Sequence, residues 1–220
     1  MLELNTFSIT ARCPKTGQLG VAVSTKLPAV GMLVPFVKAG TGAIATQSFV
    51  NPYIGIRGLR YLGSGMTAAE AKNKIISEEQ DLEYRQFAIV DADGNTAAFS
   101  GDECEGYYNH FEGDGFVVAG NMLVNEKTLT DMQRTFVIHS DLELSERLLR
   151  ALQAGQKAGG DKRGKQSAAL KVYDTEDYPL VDLRVDEHED PVAELTRVYE
   201  VAKEQLLPFI PDMPKKHNFK

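Results

Sequence analysis

Most residues of this chain that could carry chemistry fail on spacing or context. Gly159-Gly160-Asp161-Lys162-Arg163-Gly164-Lys165 has the Gly-x4-Gly-Lys spacing of a phosphate-cradling loop. Gln166, however, stands where a magnesium-binding Ser or Thr belongs. The loop also runs from a predicted helix into a predicted strand, the reverse of the order that sets a phosphate on a helix N-terminus. A nucleotide triphosphate site is therefore not expected. Asp91-Ala92-Asp93-Gly94-Asn95 has the acids of a calcium loop, but its glycine is fourth rather than sixth and strands flank it, so it reads as a hairpin turn. Gly40-Thr41-Gly42 lacks the third glycine of a dinucleotide fingerprint. His110, His139, His188 and His217 share no ligand spacing with a Cys or with one another, so neither metal nor cofactor is expected. Cys104, six residues before His110, could supply a thiol nucleophile. Its alternative is a buried apolar role, since free Cys packs as a small hydrophobe.

The elements that must position these residues follow from periodicity. Thr6 to Ala11 alternates with Phe7 and Ile9 on one face, Cys13 to Gly17 is turn chemistry, and Leu19 to Thr25 is a second strand, making an N-terminal hairpin. Gly42 to Phe49 is a strand of small residues. Thr67-Ala68-Ala69-Glu70 has the form of a capping box and opens a helix to about Glu79. A second hairpin pairs Tyr84–Val90 with Thr96–Ser100, and Phe116–Gly120 is a further strand. Helices are predicted over Glu126–Ile138 and Leu142–Lys157, and strands over Gln166 or Ser167 to Tyr173 and Leu180–Val185. Asp190-Pro191 opens a last helix through Leu207, and Pro208, Pro211 and Pro214 then predict a loose tail. Hairpins rather than alternating strand-helix units predict antiparallel sheets with helices in outer layers, an α+β fold. One domain is expected, with residues 1–186 as its body and 187–220 as a C-terminal helix and Pro-rich tail packed on it.

Composition sets the outer bounds. The chain has 220 residues, 43% apolar and 25% charged, enough for a substantial core without staples. Its 24 Lys and Arg against 31 Asp and Glu exclude a generally basic, nucleic-acid-binding surface; the basic clusters are Lys162, Arg163, Lys165 and Lys215, Lys216, Lys220. Two cysteines, Cys13 and Cys104, fit a reducing compartment. Met1 to Asn5 has no basic start and no long apolar run, so it does not read as a secretory signal. The apolar window Leu27–Val37 holds Pro28 and Pro35 and is too short to span a bilayer. A cytoplasmic protein with neither nucleic-acid nor membrane partners is expected.

A remaining constellation is carried by four stretches. They are Thr6-Phe7-Ser8-Ile9 through Leu19-Gly20-Val21-Ala22-Val23-Ser24; Ala45-Thr46-Gln47 with Asn51-Pro52; Gly120-Asn121-Met122-Leu123; and Gly159-Gly160-Asp161 through Arg163-Gly164 to Gln166-Ser167-Ala168-Ala169. Together they resemble a bacterial family of unknown function assigned to the N-terminal-nucleophile (Ntn) hydrolase superfamily, over roughly residues 6 to 173. The resemblance implies a four-layer αββα sandwich and an amidohydrolase or acyltransferase acting on an amide or γ-glutamyl-like bond. In such enzymes a residue freed as the new N-terminus attacks, and its own α-amino group is the base. That amine titrates at about 7.7–8.0, so no histidine is required.

The resemblance makes Thr6 the nucleophile, Asn121 a donor to the developing oxyanion, and Asp161 a supporting acid. It makes Arg163, Ser24, Gln47 and Ser167 the substrate-binding set, with Arg163 suited to a substrate carboxylate. Structural roles stand beside these: Asp161 capping a turn, Arg163 in an ion pair, Asn121 in a left-handed conformation. Exposing Thr6 requires scission between Asn5 and Thr6. The alternative function is an unprocessed, non-catalytic Ntn-like module that binds a ligand or assembles with a partner, and a homo-oligomer is compatible with either.

Overall fold

The computed structural model describes residues 3, 4 and 6–219, with side chains from Thr6 onward. Alternation along a single strand sets its layers. In β2 (Thr6–Arg12), Phe7, Ile9 and Ala11 point into a helix-covered core, whereas Thr6, Ser8 and Thr10 occupy the opposite face. β2 lies inside a six-stranded antiparallel sheet with β3 (Leu19–Thr25), β8 (Tyr107–Gly113), β9 (Phe116–Leu123), β10 (Ser167–Tyr173) and β11 (Val181–Val185), ordered β11-β10-β3-β2-β9-β8. A second antiparallel sheet is ordered β1 (Glu3–Leu4), β5 (Gly42–Phe49), β6 (Arg85–Asp91), β7 (Thr96–Ser100), with β4 (Pro35–Lys38) also paired to β5.

Three apolar clusters divide the four layers. Phe7, Ile9, Val118 and Leu170 pack beneath α3 (Lys127–Ile138), α4 (Leu144–Lys157) and α5 (Pro191–Gln205). Ile44, Phe87 and Ile89 pack beneath α1 (Pro52–Gly63) and α2 (Ala68–Glu78). Between the sheets lie Val21, Val23, Val90 and Val117 with Ala43, Ala45, Ala88, Ala98 and Ala119, small residues that let the sheets approach. The order helix, sheet, sheet, helix is the four-layer αββα sandwich, built from two antiparallel sheets as expected. Among the described residues no helix is long and apolar enough to cross a membrane.

The capping box forms: the Thr67 hydroxyl accepts from the Glu70 N–H, and the Glu70 carboxylate accepts from the Thr67 N–H at 2.8 Å. Thr67→Ala is expected to cost about 1 kcal/mol, a fall in Tm of about 2–4 °C by thermal denaturation.

Several elements depart from the expectation, β1 among them. α1 lies outside the predicted elements: it follows an Asn51 cap, whose side-chain Oδ1 accepts from Tyr53 N–H at 3.0 Å, with Pro52 at the first helical position. β8 is half-buried, and its pairing slips between Tyr107 and Asn109, which destroys the period-two pattern. β4 falls inside the apolar window set aside as non-spanning. The tail is less loose than predicted. Leu207–Asp212 and Lys216–Asn218 form 3-10 turns, and the Lys216 N–H donates to Glu176 at 2.8 Å.

Candidate functional site

The space between the sheets changes from apolar to polar toward the start of β2. Thr6 is fully buried there, and its hydroxyl donates to the Thr25 hydroxyl at 3.3 Å, its register partner on β3. On its other side Phe7 pairs with Gly120, so Asn121 is the next residue of β9 alongside Thr6 and shares its inter-sheet face. β1 pairs with the end of β5, Leu4 opposite Ser48 and Glu3 opposite Phe49. Since β1 belongs to one sheet and β2 to the other, Thr6 opens its strand where the chain changes sheets.

A chain of buried polar groups crosses the same layer. Ser8 donates to Gln47 Oε1 at 2.8 Å, and Gln47 Nε2 donates to Gln86 Oε1 at 2.8 Å. Asn121 Nδ2 donates to that same oxygen at 2.9 Å. Gln86 Nε2 reaches Ser100 Oγ at 2.7 Å and the Gly120 carbonyl at 3.0 Å, and Ser100 Oγ contacts His110 Nδ1 at 2.9 Å. Burial pushes the His110 pKa down, which favours the neutral ring. One buried atom in the network is unmatched: Asn121 Oδ1 has no hydrogen-bond partner. A buried acceptor left so costs about 1–3 kcal/mol. Ser48 and Met122, which directly follow Gln47 and Asn121, take φ of 68° and 50°. Left-handed backbone at non-glycine residues is strained and concentrates at functional sites. The left-handed residue on β9 is thus Met122, not Asn121.

The 159–164 loop is sewn to the end of β9. Val124 N–H donates to Gly160 O at 3.1 Å and Lys162 N–H to Met122 O at 2.8 Å; Gly159 and Gly160 supply the positive φ this path needs. The loop carries the buried Asp161. Its Oδ1 accepts from the Arg163 N–H at 2.9 Å, its Oδ2 accepts from Arg163 Nη2 at 2.8 Å, and Oδ2 also accepts from the Lys26 N–H at 3.1 Å. Asp161 therefore caps a turn, pairs with Arg163 and fixes the residue immediately after Thr25. Arg163 keeps 31% of its side chain exposed.

A family model matches residues 6–195, and its description is "Family of unknown function (DUF1028)". The chain belongs to that family. It is 33% identical to protein SPO2555 from Silicibacter pomeroyi, a DUF1028 structure, over 93% of this chain and 92% of that one, with a TM-score of 0.85. Ancestral β-subunit (Anbu) structures from Yersinia bercovieri and Hyphomicrobium sp. strain MC1 align at 11% and 13% identity, covering 95% and 93% of this chain and 98% and 97% of theirs. Their TM-scores are 0.41 and 0.42. No curated protein matches the chain.

In this DUF1028 member the structure brings Thr6, Asn121, Asp161 and Gln47 toward one end of the sandwich, while Ser24 and Ser167 have other work. Ser24 pairs with Ala168, whose side chain lies in the helix-covered core, and its hydroxyl donates to Ser167 O at 3.1 Å. The Ser167 hydroxyl donates to Leu27 O at 2.6 Å and accepts from Val30 N–H at 3.1 Å. Both serines are fully buried, and their hydroxyls bind backbone groups. Ser167→Ala is expected to lower stability by about 1–3 kcal/mol, read by urea denaturation, with KM for any substrate unchanged.

Cys104 is buried, with its thiol directed to Arg85 O at 3.6 Å and its pKa pushed up by burial. A nucleophilic thiol needs the opposite shift. Among the described residues no three His, Cys, Asp or Glu side chains form a metal-ligating group. Sequence reading missed Ser8, Thr25 and Gln86. Each is a polar residue on the strand face that otherwise turns inward between the sheets, and that mismatch was the available signal.

Proposed function

We propose that this DUF1028 protein is an Ntn-type amidohydrolase or acyltransferase whose nucleophile is Thr6, exposed by scission between Asn5 and Thr6. The observation that carries this reading is the position of Thr6. It opens a strand inside the six-stranded sheet, beside Thr25 and Asn121, with the buried Asp161 anchored one residue beyond Thr25. The family resemblance and the αββα layers support the same chemistry.

The steps follow from the groups present. The freed α-amino group accepts the Thr6 hydroxyl proton while Oγ1 attacks the substrate carbonyl. The tetrahedral intermediate collapses, the leaving amine takes the proton, and an acyl-Thr6 ester forms. Water activated by the same amine hydrolyses the ester, or an acceptor amine takes the acyl group. Asn121 serves at this centre in either of two ways. Its Nδ2 is engaged with Gln86 and would have to exchange that partner to meet an oxyanion. Its unpaired Oδ1 is suited to accept from the new α-amino group and orient it. Gln47 holds the network behind the site, and the partly exposed Arg163 is of the residue type that suits a substrate carboxylate. The substrate class is a small amide or peptide-like molecule, and the setting is cytoplasmic.

A second reading has one observation in its favour. Thr6 has no exposed surface, and Glu3–Leu4 pairs with β5, an arrangement that also suits an unprocessed, non-catalytic binding or assembly module. Intact-mass measurement during prolonged incubation separates the two. Loss of residues 1–5 with appearance of an N-terminal Thr supports the enzyme, and an unchanged mass with no hydrolysis supports the module.

A further inference from the structure

Gln86 fixes which way Asn121 faces. It is fully buried on β6, on the same face as Ala88 and Val90, which pack in the apolar layer between the sheets. Burying an amide in such a layer is costly unless its polar atoms are matched. Both ends of this one are. Three oxygens surround Nε2: the Gly120 carbonyl at 3.0 Å, the Asn109 carbonyl at 3.2 Å and Ser100 Oγ at 2.7 Å. Main-chain carbonyls only accept, so the amide cannot sit the other way round. Oε1 must therefore face Gln47 and Asn121, and it accepts from the Nε2 of one and the Nδ2 of the other.

The constraint passes to Asn121. Gln86 holds that residue at two points, through the carbonyl of Gly120 just before it and through its own Nδ2. Its Oδ1 is left buried without a hydrogen-bond partner. Gln47, the other amide on the same oxygen, uses both of its ends, since its Oε1 accepts from Ser8. Of the three buried amides Gln47, Gln86 and Asn121, only the one alongside Thr6 keeps a spare acceptor. Scission at Thr6 creates donors in that place. A peptide nitrogen carries one hydrogen, whereas a protonated α-amino group carries three.

Given the Ntn centre proposed at Thr6, we infer that Gln86 is its positioning residue: it locks Asn121 with Oδ1 as the acceptor for the freed α-amino group. The oxyanion role would break the Nδ2 bond to Gln86, whereas the acceptor role uses the atom that is spare. An acceptor there stabilises the ammonium and raises its pKa. It also holds the neutral amine by one N–H, leaving the lone pair for the Thr6 hydroxyl.

The pH dependence of Thr6 acylation by a β-lactone tests this assignment, using the full chain after N-terminal processing has been verified by intact mass. Attack needs the neutral amine, so the acidic limb of the rate profile follows the amine pKa. Gln86→Met is similar in size and removes both amide ends. It is expected to move that limb to lower pH by about 1 unit, because the ammonium loses its acceptor, and to lower the plateau rate about 10–100-fold. Gln86→Glu keeps an oxygen for Asn121 and is expected to recover most of the rate, with the limb at or above its wild-type position. Asn121→Ala lacks the acceptor outright. It is expected to move the limb as Gln86→Met does, and takes its place if that variant does not fold. A processed Gln86→Met chain that is acylated at the wild-type rate or faster, or with its limb unmoved, overturns the inference and leaves the Ntn reading standing. A wild-type N-terminus that is never processed, or that is processed and takes no adduct at Thr6, overturns the Ntn reading and the acceptor role with it.

Discussion

Replacing Thr6 by Ala is expected to abolish hydrolysis by the protein, with a fall in kcat/KM of about 10⁴–10⁶-fold, the scale seen when a covalent nucleophile is removed. Thr6→Ser, which keeps the hydroxyl on the same strand, is expected to retain measurable turnover. Folding should hardly change, because Thr6→Ala removes one methyl and a 3.3 Å hydroxyl contact to Thr25 from a strand whose other face is anchored by Phe7 and Ile9. The contrast is diagnostic: loss of activity with near-wild-type Tm assigns chemistry to Thr6, whereas parallel loss of both would make it a packing residue. Rates on γ-glutamyl and simple amide substrates, measured after N-terminal processing has been verified by mass, provide the comparison.

Asp161→Ala is expected to be the most destabilising of the site variants. The carboxylate side chain is 0% exposed, pairs with Arg163, and accepts backbone N–H groups from Arg163 and Lys26. Its removal leaves the Lys26 donor unmatched and frees the loop that crosses the end of β9. Breaking a buried ion pair costs about 3–5 kcal/mol, and the partial exposure of Arg163 places the expected cost near the lower figure. That corresponds to a fall in Tm of roughly 6–12 °C. Asp161→Asn keeps an acceptor and is expected to lose about half as much. If Asp161 also supports the Thr6 centre, the Asn variant will lower kcat by more than its stability explains, at temperatures where it remains folded.

Layer architecture was legible in the sequence because it depends on alternation. Phe7, Ile9 and Ala11 against Thr6, Ser8 and Thr10 define both faces of β2 without any tertiary knowledge. Capping chemistry located α2 to within a residue, since Thr67 and Glu70 satisfy each other locally. β8 was invisible for the converse reason: a register slip beside Tyr107 and a half-buried face leave no repeating pattern. At the candidate site, residue types were legible and partners were not. Asp161 and Arg163 are two residues apart and their turn and ion pair were among the local alternatives. The Asn121–Gln86–Gln47–Ser8 chain joins four strands from two sheets, and no local spacing encodes it. Ser24 and Ser167 carried roles by resemblance alone, and the pairing of β3 with β10 gives them backbone partners.

The most direct test of the central claim is covalent labelling at residue 6. The protein is incubated until its N-terminus is processed, treated with a hydroxyl-reactive electrophile such as a β-lactone, and mapped by peptide mass spectrometry. The account predicts a stoichiometric adduct on Thr6, absent from unprocessed chains and from Thr6→Ala, that appears in step with loss of hydrolysis. An intact N-terminus with no adduct, or inhibition that tracks modification of Cys104 instead, would contradict it.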